Sequence, residues 1–391
     1  MTRQALIVGG GMGGLAAGLA CLRAGWQARL YEQAPEITEV GAGIQLGPNA
    51  TRLLADWGLE HALAGVAAFP ERLQARDAVD GAVLGEMNLG PSFRERYGAP
   101  YASVHRADLQ RVLMEAAVAA GVDLRLSSRV HASQCDAHAV RLRVNESPEI
   151  EGDALVAADG VWSTLRRQWV GDGMPTATGH LAYRALIAQS ALPQALRSAG
   201  VTVWLGPRLH VVAYPVKCGE QLNVVVIVQG RSGGVATDWD QDAATADLHS
   251  AMGPLCAPLR DLVHAIPAWR LWALHDRPPM RGPEEMARGR VALLGDAAHP
   301  MRPYLAQGAG MAIEDAQELG RALAMHVTTG IEVEVVLQRY ALNRWQRCAQ
   351  VQSRAQRNGR IFHATGVVQW GRNMAMRLLG ERLMDQPWLY R

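Results

Sequence analysis

Three glycines near the N-terminus have the spacing that a dinucleotide phosphate requires. They form Gly9-x-Gly11-x-x-Gly14, which follows a predicted strand and opens a predicted helix. Gly9 permits a tight turn, Gly11 lets backbone amides approach a pyrophosphate, and Gly14 lets the helix pack closely on the sheet. Glu32 and Gln33 end the next predicted strand, where an acid can accept hydrogen bonds from the adenosine ribose. The motif predicts bound FAD or NAD and disfavours NADP, whose 2′-phosphate Glu32 would repel.

A second acid-bearing turn favours a flavin over NAD. Gly295-Asp296 ends another predicted buried strand, and Gly308-Ala309 leads directly into a helix. An acid at the carboxyl edge of a strand can bind the hydroxyls of a ribityl chain, and a helix N-terminus can stabilise negative charge on a reduced flavin. NAD has no part that needs this arrangement. The alternative is a surface strand-turn-helix with an acid at its N-terminal end.

A third acid-glycine turn, Asp159-Gly160, follows the predicted buried strand at residues 154–158. Taken alone, this turn is equally well explained as an Asp-Gly hairpin. Its interpretation therefore depends on the two other motifs.

The composition is that of a globular protein of two or three compact units. The chain has 391 residues, 49% of them hydrophobic and 19% charged, and its net charge of +2 gives no basic surface for nucleic acid. The five scattered cysteines form no CxxC pair, so we expect reduced thiols in the cytoplasm and neither a disulfide framework nor a metal site. No apolar run approaches the roughly 18 residues of a membrane span, so we expect no membrane anchor.

The three motifs together resemble the three fingerprints of the single-component FAD-dependent aromatic hydroxylases, in matching order over nearly the whole chain. The chain is most similar to the members that hydroxylate salicylate, 3-hydroxybenzoate and 6-hydroxynicotinate, through Gly41–Asn49, His105–Leu109, Ala182–Ala185 and Met301–Asp315. The resemblance implies NADH or NADPH as co-substrate. It also implies transfer of oxygen from O2, through a flavin C4a-hydroperoxide, to an activated ring.

The family resemblance and the apolar pattern together predict an α/β fold. It has a Rossmann-type FAD-binding domain, an inserted antiparallel β-sheet substrate domain and a C-terminal helical tail. We expect the FAD-binding domain at residues 1–72, 100–178 and 283–330, the substrate domain at 73–99 and 179–282, and the helices at 331–391. Within the first domain, helices are predicted at residues 43–65 and 106–120.

The resemblance also implies roles for individual residues near the cofactor. Gly43 and Arg106 would contact the flavin cofactor, and Asp159 would serve the cofactor region and NAD(P)H. Asp296 would hold the ribityl chain, and Gly308 and Ala309 would lie near the isoalloxazine ring.

His210 and Tyr214 are the candidate catalytic pair. Both lie in a predicted strand at residues 209–214, and strand residues four apart face the same side. Their Cα atoms would be about 13 Å apart, which leaves room for one aromatic ring. By resemblance, His210 is the base or hydrogen-bond partner of a phenol and Tyr214 an orienting donor. Without the resemblance, a half-buried strand histidine is more often structural.

Arginines are the candidates for binding a substrate carboxylate, because a guanidinium makes two-pronged contacts. Arg184, Arg208 and Arg302 are the three considered, with Pro303 next to the last. A solvated or salt-bridged role is the alternative for each arginine, and His299 is interpreted as structural.

Two other functions remain open at this stage. One is a flavin oxidoreductase or epoxidase acting on a non-aromatic substrate, and the other is a non-catalytic flavin-binding regulator. We expect a small aromatic substrate, O2 and NAD(P)H as partners, no nucleic acid or membrane, and a monomer or homodimer.

Overall fold

The computed structural model describes residues 3–37, 42–230 and 241–391. The strands are β1 (Gln4–Val8), β2 (Gln27–Tyr31), β3 (Gly43–Leu46), β4 (Ala67–Ala68), β5 (Arg72–Asp77), β6 (Val83–Asn88), β7 (Ala102–His105), β8 (Asp123–Arg125), β9 (Val130–Cys135), β10 (Val140–Val144), β11 (Ile150–Gly152), β12 (Ala154–Ala157), β13 (Thr176–Ala188), β14 (Val201–Gly206), β15 (Leu209–Val216), β16 (Gln221–Gln229), β17 (Gln241–Ala243), β18 (Trp269–Asp276), β19 (Ala287–Arg288) and β20 (Val291–Leu293). The helices are α1 (Met12–Arg23), α2 (Pro48–Asp56), α3 (Glu60–Ala64), α4 (Pro91–Tyr97), α5 (Arg106–Ala120), α6 (Thr164–Trp169), α7 (Thr245–Met252), α8 (Ala257–His264), α9 (Gly308–Thr329), α10 (Val333–Phe362), α11 (Gly366–Leu379), α12 (Glu381–Met384) and α13 (Pro387–Tyr390). No helix among the described residues is both long and apolar enough to span a membrane.

The described residues divide into two compact units, and each has its own large sheet. The first unit lies within residues 1–39, 109–176 and 275–355. Its sheet has the order β19-β20-β12-β1-β2-β8, in which β20, β12, β1, β2 and β8 run parallel. Nearly all side chains of the central strand β1 are buried, as expected for a parallel strand covered on both faces.

The second unit lies within residues 40–108, 177–274 and 356–391. Its sheet has the order β17-β18-β13-β16-β15-β14-β5-β6, with antiparallel pairing through β13, β16, β15 and β14. Leu209, Val211 and Ala213 of β15 lie in a core with apolar residues of α7 and α8. On the opposite face, Leu205 packs near Met376 of the C-terminal helices. Different helices therefore pack on the two faces of this sheet.

The mixed α/β fold class predicted from the sequence is confirmed. The compact units divide the chain differently from the three predicted domains, however. Residues 40–72 and 100–108 lie in the second unit, where β3, β7 and β4 form a small sheet and Ser103 of β7 donates a hydrogen bond to Pro215 O. Residues 331–355 lie in the first unit, where the Tyr340 hydroxyl donates to Leu293 O of β20.

The predicted helix at residues 43–65 is partly wrong, whereas the one at 106–120 is confirmed. Residues 43–46 form strand β3, and the helical part divides into α2 and α3. Ile44 and Leu46 are apolar residues two positions apart, which is the period of a strand. Pro48 suits the first position of a helix but not an interior one. The helix therefore begins only at Pro48.

The turn from β1 into α1 is closed by two contacts that admit no side chain. Gly9 has φ +108°, and a Cβ there would lie 2.3 Å from the carbonyl oxygen of Ala158. A Cβ on Gly14 would lie 1.9 Å from the carbonyl oxygen of Gly9. A Cβ on Gly11 would meet nothing within 4 Å. Gly9 and Gly14 are thus required by packing, while Gly11 leaves open space beside the turn.

The substitution Gly14→Ala tests this close approach. Alanine is favoured over glycine in a helix by about 1 kcal/mol, but the clash with Gly9 O outweighs this gain, and overpacking costs about 1–3 kcal/mol. We expect a lower midpoint of thermal unfolding for Gly14→Ala. The control Gly11→Ala, in the same turn, should unfold at the wild-type temperature when all proteins are first freed of bound ligand. Equal midpoints for both variants would contradict the packing argument.

Candidate active site

Four segments distant in sequence meet at one edge of the parallel sheet in the first unit. The adjacent parallel strands β20, β12, β1 and β2 end directly before Asp296, Asp159, Gly9 and Glu32, with at most two residues between. The carboxyl ends of parallel strands lie at the same edge of a sheet, where doubly wound folds bind their ligands. The structure therefore brings the three sequence motifs together in one place.

The Glu32 carboxylate lies against the glycine turn. It accepts hydrogen bonds from the backbone N–H of Gly10 at 2.6 Å and of Ala34 at 2.8 Å. These two bonds fix its position at the end of β2, beside the start of α1. Gln33, next in the chain, is exposed. An acid held here suits the predicted contact with a ribose.

The Asp159 carboxylate accepts hydrogen bonds from the helix that follows it. The donors are Ser163 Oγ at 2.5 Å and the backbone N–H of Thr164 at 2.9 Å, at the start of α6. Burial raises the pKa of this carboxyl above its usual range. The hairpin alternative is wrong, because β12 before the turn pairs in parallel with both its neighbours and the chain continues into α6. The structure thus gives Asp159 a helix-capping role at the edge where a cofactor contact was predicted.

The Gly295-Asp296 turn follows a buried strand, as predicted from the sequence. Gly295 has φ +60° and is buried, and Asp296 is exposed at the end of β20. Helix α9 begins at Gly308-Ala309 with no acid in its first turn and no side-chain cap. A Cβ on Gly308 would meet nothing within 4 Å. An exposed acid and a helix start without a side-chain cap therefore lie in the same unit as the glycine turn.

A buried ionic network, which sequence reasoning missed, fixes this turn from behind. Asp315 of α9 accepts hydrogen bonds from the Gly295 N–H at 3.1 Å and from Arg344 Nε at 2.8 Å, and its Oδ2 lies 2.5 Å from His299 Nε2. Arg344 also bonds Glu314 at 2.7 Å. His299 is therefore part of the internal structure, as its sequence interpretation had it.

The charges in this network determine each other's protonation. Burial alone would raise the pKa of Asp315, but His299 and Arg344 hold it below its usual range. Burial alone would lower the pKa of His299, but Cys348 and Asp315 raise it well above its usual range. His299, Asp315 and Cys348 have ligand atoms within 4.8 Å of one another. The Arg344 guanidinium already supplies the positive charge that pairs with Asp315 there.

In the second unit, His210 and Tyr214 project from the same face of β15, opposite the core with α7 and α8. His210 pairs in register with Ile227 of β16, and Tyr214 with Asn223. Both side chains are buried. The predicted strand and the shared face are thus seen in the structure.

The row of residues between this pair is more open. Val212 pairs with Val225 of β16, which in turn pairs with Arg184 of β13, and all three are only half-buried. The Arg184 guanidinium carbon lies 3.5 Å from the centre of the Trp272 ring, a cation–π contact. The result is a half-exposed apolar row with one cation, flanked by a histidine and a tyrosine.

Tyr214 is held by the strand that contains Gly43. Its hydroxyl donates a hydrogen bond to Gly43 O at 2.7 Å, and the Gly43 N–H donates to Asn223 Oδ1 at 2.7 Å. A Cβ on Gly43 would lie 2.6 Å from the Tyr214 ring, so glycine is required there by packing. The hydroxyl proton is used by Gly43 O, and the Gln45 side chain also hydrogen-bonds to this hydroxyl. The role of Tyr214 as an orienting donor toward a ring stays a prediction. Gly41, at the start of the same motif, lies outside the described residues.

The remaining predicted residues have the following surroundings. Arg302 of the first unit bonds the buried Asp276 at 2.6 Å, and Pro303 beside it is exposed. Arg106 begins α5, and its backbone N–H donates to Ala42 O at 2.8 Å. Arg208 is exposed in the turn between β14 and β15.

Comparison with known proteins agrees with this geometry. Residues 2–355 match the family described as FAD binding domain. The chain belongs to this family. It is 38% identical to 3-hydroxybenzoate 6-hydroxylase of Polaromonas naphthalenivorans over 98% of the chain and 95% of that enzyme. It is 34% identical to 6-hydroxynicotinate 3-monooxygenase of Bordetella bronchiseptica over 88% of each chain.

Solved structures are similar over almost the whole length. A salicylate hydroxylase substrate complex gives a TM-score of 0.84 at 25% identity, covering 100% of this chain and 95% of that one. HpxO of Klebsiella pneumoniae, complexed with FAD and uric acid, gives 0.86 at 26% identity, covering 98% and 94%. The protein is an FAD-dependent aromatic-ring monooxygenase, and the regulator alternative is excluded.

The substitution Asp315→Asn tests the network behind the Gly295-Asp296 turn. It removes the charge that pairs with Arg344 and His299, and breaking a buried pair costs about 3–5 kcal/mol. We expect the free energy of unfolding in urea to fall by about that amount at neutral pH. Because the pKa of Asp315 is lowered in the folded protein, its contribution is present above about pH 4 and is lost only as the pH falls well below that value.

A matched control is Glu318→Gln on the same helix. Glu318 pairs with the exposed Arg321 at 3.6 Å and accepts a hydrogen bond from Asn343 at 2.6 Å. Glutamine keeps the acceptor for Asn343, and the lost pair with an exposed arginine contributes at most about 1 kcal/mol. If both variants lost a similar free energy of unfolding, the contribution of the Asp315 contacts to stability would not depend on their burial.

Proposed function

We propose that the protein hydroxylates a phenolic or hydroxy-heteroaromatic carboxylate, with NADH or NADPH and O2 as co-substrates. The observation that carries this proposal is the half-exposed row of Arg184, Val225 and Val212 between His210 and Tyr214. Apolar side chains suit an aromatic ring, a guanidinium suits a carboxylate, and a histidine suits the proton of a ring hydroxyl. The relatives that act on 3-hydroxybenzoate and 6-hydroxynicotinate support the same substrate class. The five free cysteines support a reducing compartment such as the cytoplasm.

The first unit would hold the FAD. Gly11 leaves room for the pyrophosphate, Glu32 would bind the adenosine ribose, and Asp296 would bind the ribityl hydroxyls. The open N-terminus of α9 at Gly308 would stabilise negative charge on the flavin ring. When bound, FAD is the group that NAD(P)H reduces and that activates oxygen. Binding the substrate, orienting it and accepting its proton are left to the protein's own side chains.

The second unit would bind and activate the ring. Arg184 would bind the carboxylate of the substrate, because it is the cation in the half-exposed row and a guanidinium matches the geometry of a carboxylate. His210 would take the proton of the ring hydroxyl, and Tyr214 would orient that group by a hydrogen bond. Burial holds the pKa of His210 well below its usual range, so the free ring is neutral and has a lone pair to accept the proton of the ring hydroxyl. Arg302 is a weaker candidate for the carboxylate, since its charge is already paired with Asp276.

Asp296→Ala tests the assignment of the flavin. A hydrogen bond to a charged group contributes about 1.5–3 kcal/mol, so the Kd for FAD should rise by roughly 10- to 100-fold. Binding is measured by titrating the apoprotein with FAD and following flavin fluorescence. The exposed Asp261 on α8 gives a control, since Asp261→Ala should bind FAD as the wild type does. Release of NAD instead of FAD from the denatured wild-type protein would overturn the assignment.

His210→Ala tests the assignment of the base. The FAD steps do not require His210, whereas oxygen transfer requires an activated ring. Hydroxylated product, with 3-hydroxybenzoate as the first substrate screened, should therefore fall by roughly 100-fold, the scale of a lost general base. NADH oxidation should fall much less, so more hydrogen peroxide should be released per product. Tyr214→Phe should show the same effect more weakly.

Parallel assays of NADH, peroxide and product provide the measurement. The control is His264→Ala, which removes an exposed histidine of α8 and should keep the wild-type ratio of product to NADH. If His210→Ala also kept that ratio and the wild-type rate, His210 would have a structural role only.

A further inference from the structure

A second buried histidine lies in direct contact with His210. His363 follows the last residue of α10, and its Nε2 is 2.8 Å from His210 Nδ1. The two side chains are 1% and 4% exposed. The contact joins residues 153 positions apart in the chain. Sequence reasoning gave no sign of it, because His363 belongs to no motif.

The backbone fixes His363 from both sides. Its N–H donates to Gly359 O at 3.3 Å within the end of α10, and its carbonyl accepts from the Arg208 N–H at 3.2 Å in the turn before β15. The Phe362 ring packs edge-on against His210, with ring centres 5.4 Å apart. The ring of His363 is therefore held at a defined place beside the candidate base.

Burial is the main reason that this pair is neutral, and three titratable or charged groups lie around it. His180 of β13 has its ring centre 4.9 Å from that of His363, and Arg372 of α11 donates to Phe362 O at 2.7 Å. Asp77 of β5 is linked to the same helix through Asn373 at 2.7 Å. Burial, with His180 and Arg372, lowers the pKa of His363 to about 3. Burial, with His363 and His180, lowers that of His210 well below its usual range.

Two neutral imidazoles share one hydrogen between the facing nitrogens, and only one arrangement leaves His210 able to act as a base. If His363 donated to Nδ1 of His210, then Nε2 of His210 would carry a hydrogen and could not accept another. If His210 donates from Nδ1, its Nε2 has a lone pair. On protonation at Nε2, the Nδ1–H bond to His363 becomes charge-assisted without any rearrangement.

We propose that His363 is a positioning residue that holds His210 in the tautomer with hydrogen on Nδ1 and a lone pair on Nε2. In this form, Nε2 takes the proton as the O–H bond of the substrate breaks, and the electron pair stays on the ring oxygen. His363 thereby acts through His210 and does not touch the substrate. This inference rests on the proposed function of His210.

The tautomer can be observed directly in the flavin-bound enzyme labelled with ¹⁵N-histidine. Two-bond ¹H–¹⁵N correlation spectra at pH 7 should show His210 with Nδ1 protonated and Nε2 bare, its signals assigned by their loss in His210→Ala. In His363→Phe, which keeps a flat ring and removes the acceptor, this tautomer should no longer dominate. Product formed per NADH should also fall at least 5-fold. His363→Gln, whose carbonyl can accept the same bond, should restore most of both.

The control variant is His249→Phe, which breaks another histidine ring pair, that of His249 and His264, with centres 4.6 Å apart on α7 and α8. It should change neither the spectrum nor the coupling. The inference is overturned if wild-type His210 carries its hydrogen on Nε2, or if His363→Phe leaves the tautomer unchanged. Should His363→Phe fail to fold, the wild-type and His363→Gln spectra decide. Unchanged coupling in His210→Ala would instead overturn the proposed function, whatever the spectrum shows.

Discussion

The buried carboxylate of Asp315 is the contact on which much of the first unit depends. It bonds the backbone of Gly295, the ring of His299 and the guanidinium of Arg344, so that it joins the segment after β20 to helix α10. A buried ion is stable only when opposite charges and hydrogen bonds compensate for its loss of water. Each of these groups is therefore held in position by its contact with Asp315. Because Gly295 directly precedes Asp296, the network also fixes where that acid can point. The residue proposed to bind the ribityl chain is in this way positioned by buried charges that lie behind the turn.

In the second unit, the packing of the sheet positions the candidate catalytic side chains. Its sheet has one face in a continuous apolar core, so side chains on the other face are free of that packing role. The period of two along β15 then delivers His210 and Tyr214 to the same side at a separation suited to a ring. Burial keeps His210 neutral, which preserves the lone pair that a base needs. Packing of Tyr214 on Gly43 fixes the second group without any contribution from the substrate.

The sequence was sufficient for features that depend on local spacing. The glycine turn, the strand with His210 and Tyr214 and helix α5 all follow from short-range patterns, and the structure contains each of them. The family resemblance identified FAD as the cofactor. Contacts across long separations could not be predicted, because no local pattern marks them. His363 lies 153 residues from His210, and Arg344 lies 29 from Asp315.

Structure also separates residues that look equivalent in the sequence. Arg184 and Arg302 were both candidates for a carboxylate, and residue type alone cannot distinguish them. Arg302 already pairs with a buried acid, so a substrate carboxylate would have to compete with Asp276 for it. The Arg184 guanidinium carbon lies 3.5 Å from the centre of the Trp272 ring, a cation–π contact that helps to hold the side chain in the half-exposed row of its sheet. The difference between a charge already paired with a buried acid and one placed beside an apolar row is the reason that Arg184 is preferred over Arg302 in the proposed contact with an anionic ring.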